Sequence, residues 1–75
     1  MEWTAEITND PLNDYAIIAE ILFDGHYVGR LFVDNGNLYL KMYPLKKVID
    51  IPFLWLRSIA EELKDIDMTN KKNSS

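Results

Sequence analysis

The residues able to do chemistry are few and do not converge. His26 is the single histidine, cysteine is absent, and the serines are Ser58 and the pair Ser74-Ser75. His26 follows Gly25 in an Asp-Gly dipeptide, where a turn residue is expected to be exposed, and no companion acid or nucleophile lies near it in the pattern. The carboxylates Glu61, Glu62, Asp65 and Asp67 form a run, but their spacing is not the Asp/Asn/Gly alternation of a calcium loop. No glycine-rich phosphate loop, metal-ligand spacing or dinucleotide fingerprint occurs. The expectation is a protein with no catalytic residue, no cofactor and no metal, so that binding is the function left to consider.

The elements that must position any binding residue begin with two hairpins. Asp24-Gly25 and Asn35-Gly36 each separate β-rich runs, and both dipeptides favour the positive φ angles of two-residue turns. Taken as the central turn residues, they set Phe23 opposite His26, Ile21 opposite Val28, Ala19 opposite Arg30, Phe32 opposite Tyr39 and Arg30 opposite Lys41. Residues 14–43 then form a three-stranded meander, and alternation sorts its side chains. One face holds Ala16, Ile18, Glu20, Leu22, Tyr27, Gly29, Leu31, Val33, Leu38, Leu40 and Met42, with Glu20 given room by Gly29. The other holds Tyr15, Ile17, Ala19, Ile21, Phe23, His26, Val28, Arg30, Phe32, Tyr39, Lys41 and Tyr43, which is too apolar for a wet face.

The flanking segments complete the domain. Trp3, Ala5 and Ile7 alternate with Glu2, Thr4, Glu6 and Thr8, the period of a strand, so residues 1–13 can add a fourth one, with Trp3 as a lid on the core edge. Asn9-Asp10-Pro11 reads as a turn. Pro44 ends the third strand for want of an N–H. Pro52 suits a first helical position. From there to 66, Trp55, Leu56, Ile59, Ala60, Leu63 and Ile66 share one arc, while Arg57, Ser58, Glu61, Glu62, Lys64 and Asp65 lie opposite. Leu54 points to the polar side. Residues 69–75 carry no apolar anchor and are expected to form a disordered tail. The fold class is α+β: one domain over 1–68, an antiparallel meander of three or four strands with a C-terminal helix packed on one face.

Composition narrows the partners. The chain has 75 residues, 48% of them hydrophobic, and a net charge of −4; without Lys71 and Lys72 the balance is nearer −6. That disfavours nucleic acid and anionic membrane. No apolar stretch approaches the ~18 residues of a membrane span, and the absence of cysteine suits a reducing interior, so a cytoplasmic location is expected. Small domains bury only about 60% of the unfolded chain's surface, which favours help from a partner.

One helix can cover one side of the sheet. The aromatic face is therefore the expected interface, through Tyr15, Ile17, Ile21, Phe23, Val28, Arg30, Phe32, Tyr39, Lys41 and Tyr43, with homodimerisation the plainest use. Arg30 and Lys41, adjacent and alike in charge, call for an anion from a second copy, a partner or a phosphate. Rings with interleaved cations also admit single-stranded nucleic acid as an alternative. The acids Glu61, Glu62, Asp65 and Asp67 suit a basic surface on a larger protein, such as one that handles nucleic acid. In size, charge and lack of catalytic groups, the chain resembles the general type of small inhibitors and immunity proteins carried by phages and mobile elements. A structural homodimer of no further role is the other alternative.

Overall fold

The computed structural model describes residues 2–73, with side chains through residue 69. Four strands run in chain order as an antiparallel sheet: β1 (Trp3–Asp10), β2 (Ala16–Phe23), β3 (His26–Asp34) and β4 (Asn37–Met42). One helix, α1 (Phe53–Asn73), follows and packs on β2 and β3. The fold is the α+β meander that the patterning predicts, with the fourth strand present.

Local chemistry explains the joints. Asp24, Gly25, Asn35 and Gly36 all have positive φ, at 48°, 82°, 52° and 81°, as two-residue turns of this twist require. Between β1 and β2 the chain makes a 3-10 turn over Pro11–Asn13, where the Asp10 carboxylate accepts from the Leu12 N–H at 3.0 Å. The β2–β3 turn also ties down the start of β1, through Glu2 N–H to Asp24 Oδ1 at 2.7 Å and Asp24 N–H to the Glu2 carbonyl at 2.8 Å. The Pro52 carbonyl accepts the first helical hydrogen bond, from Leu56 at 3.0 Å.

The register departs from expectation at one residue. Phe23 pairs with His26 and Leu22 with Tyr27, but Ile21 pairs with Gly29 and Ala19 with Leu31. Val28 is left as the extra residue of a β-bulge, so Ile21–Val28 and Ala19–Arg30 are not partners. A bulge shifts the register by one, and a one-residue shift moves the rest of a strand to the other face. Beside the bulge, Gly29 lies against β4: a Cβ there would lie 2.7 Å from the Lys41 carbonyl oxygen. The glycine thus lets β4 approach; it does not make room for Glu20, which pairs with Arg30.

The two faces are redistributed accordingly. Ile17, Ala19, Ile21, Phe23 and Val28 belong to the core beneath the helix, together with Leu31, Val33 and Leu38. Ile21 and Leu63 are the largest fully buried side chains. The arc of Trp55, Leu56, Ile59, Ala60 and Leu63 meets them, and Trp3 closes one end with its ring 4.7 Å from Phe23 and 5.9 Å from Trp55. Leu54 is exposed, as its position on the polar side predicts. The helix continues past the expected end at 66 and through 69–73 of the segment expected to be a disordered tail; Ser74 and Ser75 lie outside the described residues.

Candidate functional site: the uncovered face of the sheet

Alternation along each strand sends Thr4, Glu6, Thr8 and Asp10 of β1, Ile18, Glu20 and Leu22 of β2, Tyr27, Arg30 and Phe32 of β3, and Tyr39 and Lys41 of β4 to the side away from the helix. Tyr43, just after β4, joins them. Among the described residues no segment lies over this face. The connection from β4 to α1 runs on the helix side, where Ile49 packs on the core.

At its centre is a closed polar network. Arg30 bonds the Asp10 carboxylate at 3.0 Å and the Glu20 carboxylate at 2.9 Å, and its Nε donates to the Tyr43 hydroxyl at 2.9 Å. Tyr43 in turn donates to Glu20 at 2.9 Å. Charge-assisted bonds that use all three guanidinium nitrogens fix the side chain in one orientation. The side chains of Asp10 and Glu20 retain only 14% and 12% of their exposure, so these bonds act in a medium less screened than water. Arg30 is held charged more firmly than usual, first by the hydrogen bond with Tyr43 and then, against the cost of burial, by Glu20 and Asp10. Burial pushes the Tyr43 phenol up, and donation to Glu20 adds to the effect. Nearby, Tyr27 donates to Glu6 at 3.0 Å, which raises its phenol as well. A shallow hollow lined by Glu6, Thr8, Glu20, Tyr27 and Tyr43 lies between these groups.

Beyond the network the face is aromatic. Phe32 and Tyr39 stack across β3 and β4 with centroids 5.4 Å apart and planes at 20°. Ile18, Leu22 and Glu20 are buried although no element covers them.

Of the residues expected at an interface, Arg30, Phe32, Tyr39, Lys41 and Tyr43 lie on this face. Ile17, Ile21, Phe23 and Val28 do not: the helix packs on their side of the sheet, and the bulge turns the β3 and β4 residues to the opposite side. Tyr15 sits in the β1–β2 connection, exposed, with φ of 57°. The anion expected for Arg30 comes from its own chain. The structure adds Glu6, Asp10 and Tyr27; the alternation of β1 already set Glu6 opposite Trp3 and Ala5, whereas Asp10 was hidden by its reading as a turn residue. Glu61, Glu62 and Asp65 are exposed on α1, with Glu61 paired to Arg57 at 3.2 Å, and Asp67 is half-buried. His26 is exposed at its turn.

Among the described residues no group of histidine and acidic side chains could hold a metal ion, and no helix is long and apolar enough to cross a membrane. No family model, curated protein or solved structure matches the chain.

Proposed function

We propose that the chain is a small acidic protein-binding module, without chemistry of its own, whose docking surface is the uncovered face of the sheet. The observation that carries this reading is the side opposite the helix: Tyr27, Phe32, Tyr39 and Tyr43 stand there around an arginine, with Tyr27 and Tyr39 exposed. Aromatic residues and arginine are the types enriched at protein interfaces and at their energetic centres. The Arg30 network holds the centre of the face rigid, which lowers the ordering cost of association. The exposed acids Glu61, Glu62 and Asp65 on the helix would speed encounter with a basic partner, in the manner of a small inhibitor docking on a larger protein.

Single-stranded nucleic acid is less well served. It could stack on Phe32 and Tyr39, but the nitrogens of Arg30 are already bonded to Asp10, Glu20 and Tyr43, and phosphate contacts dominate such binding.

A photo-crosslinking amino acid placed at Tyr39, and separately at Glu62, tests the reading. The expected result is a protein adduct, to another polypeptide or to a second copy, from position 39. Adducts from position 62 alone would move the docking surface to the helix and overturn the proposal.

A further inference from the structure

The uncovered face is ordered in rows across the strands. Glu6, Glu20, Arg30 and Lys41 are successive cross-strand partners from β1 to β4, so the charges along this row read minus, minus, plus, plus. The next row is Thr8, Ile18, Phe32 and Tyr39, again successive partners. On the other side Thr4 pairs with Leu22 and Leu22 with Tyr27, with Tyr43 beside them just after β4. In these three rows β1 and β2 supply an acid or a small or aliphatic side chain, and β3 and β4 supply a base or a ring; only the end row, with Asp10 paired to Ala16 and Asp34 to Asn37, departs from this. Over the three rows, each half of the face is the complement of the other half.

We infer that the occupant of this face is a second copy of the chain, packed sheet to sheet about a two-fold axis lying in the interface, parallel to the strands and between β2 and β3. The inference rests on the docking-surface reading above. A two-fold interface requires that if one residue contacts another, the converse contact is also made. This axis lays β1 over the partner's β4 and β2 over the partner's β3. Glu6 then meets the partner's Lys41 and Tyr39 packs against the partner's Thr8, while the Arg30–Glu20 pairs, each closed within its own chain, lie between these contacts. The strands of the two sheets run nearly aligned, as stacked sheets commonly do.

Charge selects this axis over the other in-plane choice. A two-fold at right angles to the strands and centred on the charged row stacks β1 on β1 and β4 on β4, setting Glu6 against Glu6, Lys41 against Lys41 and ring against ring, and one centred elsewhere leaves the charges of the row without opposite partners. A uniformly basic or acidic partner fits no better, since half of the row would repel it. Four strands about 4.8 Å apart and some six residues of about 3.4 Å give a footprint of roughly 400 Å² per copy. That is about 800 Å² in all, below the standard size of stable interfaces, so a weak dimer is expected.

Sedimentation equilibrium from ~1 to ~500 µM reads the outcome. The wild type should pass from monomer to dimer across that range. Glu6→Lys and Lys41→Glu should each weaken self-association by about tenfold or more, because each sets like charges opposite at two symmetry-related points. An equimolar mixture of the two variants should recover the wild-type dimer strength, since lysine at 6 then faces the partner's Lys41→Glu site, and Glu6 of that partner faces Lys41. Recovery in the mixture also shows that both variants are folded. A wild type that stays monomeric throughout, single variants that associate like the wild type, or a mixture that fails to recover would each overturn the inference. A monomer that still yields an adduct to another polypeptide from position 39 would leave the docking-surface reading standing and remove only the second copy.

Discussion

Replacing Gly29 by alanine tests the close approach of β4 to β3. A methyl group there would sit 2.7 Å from the Lys41 carbonyl oxygen, 3.1 Å from Met42 Sδ and 3.5 Å from Met42 Cα. The sulfur can swing away. The carbonyl cannot, because β4 is held to β3 by the Gly29–Met42 and Arg30–Lys41 pairings. Overpacking of this kind costs about 1–3 kcal/mol, while the loss of glycine's freedom in the unfolded chain returns about 0.4–1 kcal/mol. The net expectation is a destabilisation of roughly 1–2 kcal/mol, hence a fall in melting temperature of roughly 4–8 °C for each kcal/mol in a domain of this size. Urea and thermal unfolding followed by circular dichroism measure it. Gly36→Ala is the control, since nothing lies within 4 Å of its Cβ position and only its φ of +81° resists the change. If Gly29→Ala proves as stable as the wild type, β4 does not approach β3 so closely. The close packing of the β4 backbone on Gly29 would then be refuted.

Other substitutions address the network and the core. Arg30→Met leaves the largely buried Asp10 and Glu20 carboxylates without their cation and should cost roughly 2–4 kcal/mol in urea unfolding, somewhat under the figure for a fully buried pair; adding Glu20→Gln should recover part of it. Tyr43→Phe removes a donor to Glu20 and an acceptor for Arg30, for a loss of about 1–2 kcal/mol near neutrality. The Tyr43 phenol is raised above its ordinary value of 10.0 in the folded state. Its stabilising contribution is therefore fully present below that value and is lost as pH rises through the higher folded one, so Tyr43→Phe should lose less stability on alkaline titration than the wild type. Trp3→Ala opens one end of the core beside Phe23 and Trp55 and should cost roughly 2–3 kcal/mol, since Trp3 is only partly buried; the emission of Trp55 should shift to the red as it becomes wetted.

The sequence made the turns and the helix arc legible because each is a local preference. Asp24-Gly25 and Asn35-Gly36 have few alternatives to a tight hairpin, and one apolar stripe on α1 can face only one way. Trp3, Ala5 and Ile7 marked β1 by period alone. What stayed hidden was non-local. An isolated glycine in a strand signals either a bulge or a close approach, and at Gly29 it is both. Only the neighbouring β4 backbone shows why, so the faces of β2 were matched to the wrong faces of β3 and β4. The same displacement concealed the pairing of Glu20 with Arg30. Asp10, twenty residues from Arg30 in the chain, reached the network through the β1 register, which no short-range pattern specifies. The helix runs further than the apolar arc, which marks only the turns that face the core.

The strand order, identical to the chain order, also sets a sequence of events during synthesis. Every strand pairs with its neighbour in the chain, and such local topologies form quickly, with hairpins closing in about 1–10 µs. Ribosomes add roughly 5–20 residues per second. The hairpins can thus close on the emerging chain long before residues 53–73 exist to fold over them. For that interval Ile17, Ala19, Ile21 and Val28 have no cover, and the nascent sheet exposes its apolar side. The side that later receives the helix is the one without charges, and so the one most exposed to wrong pairing; the side carrying Glu6, Glu20, Arg30 and Lys41 meets other chains already marked with a pattern of attraction and repulsion.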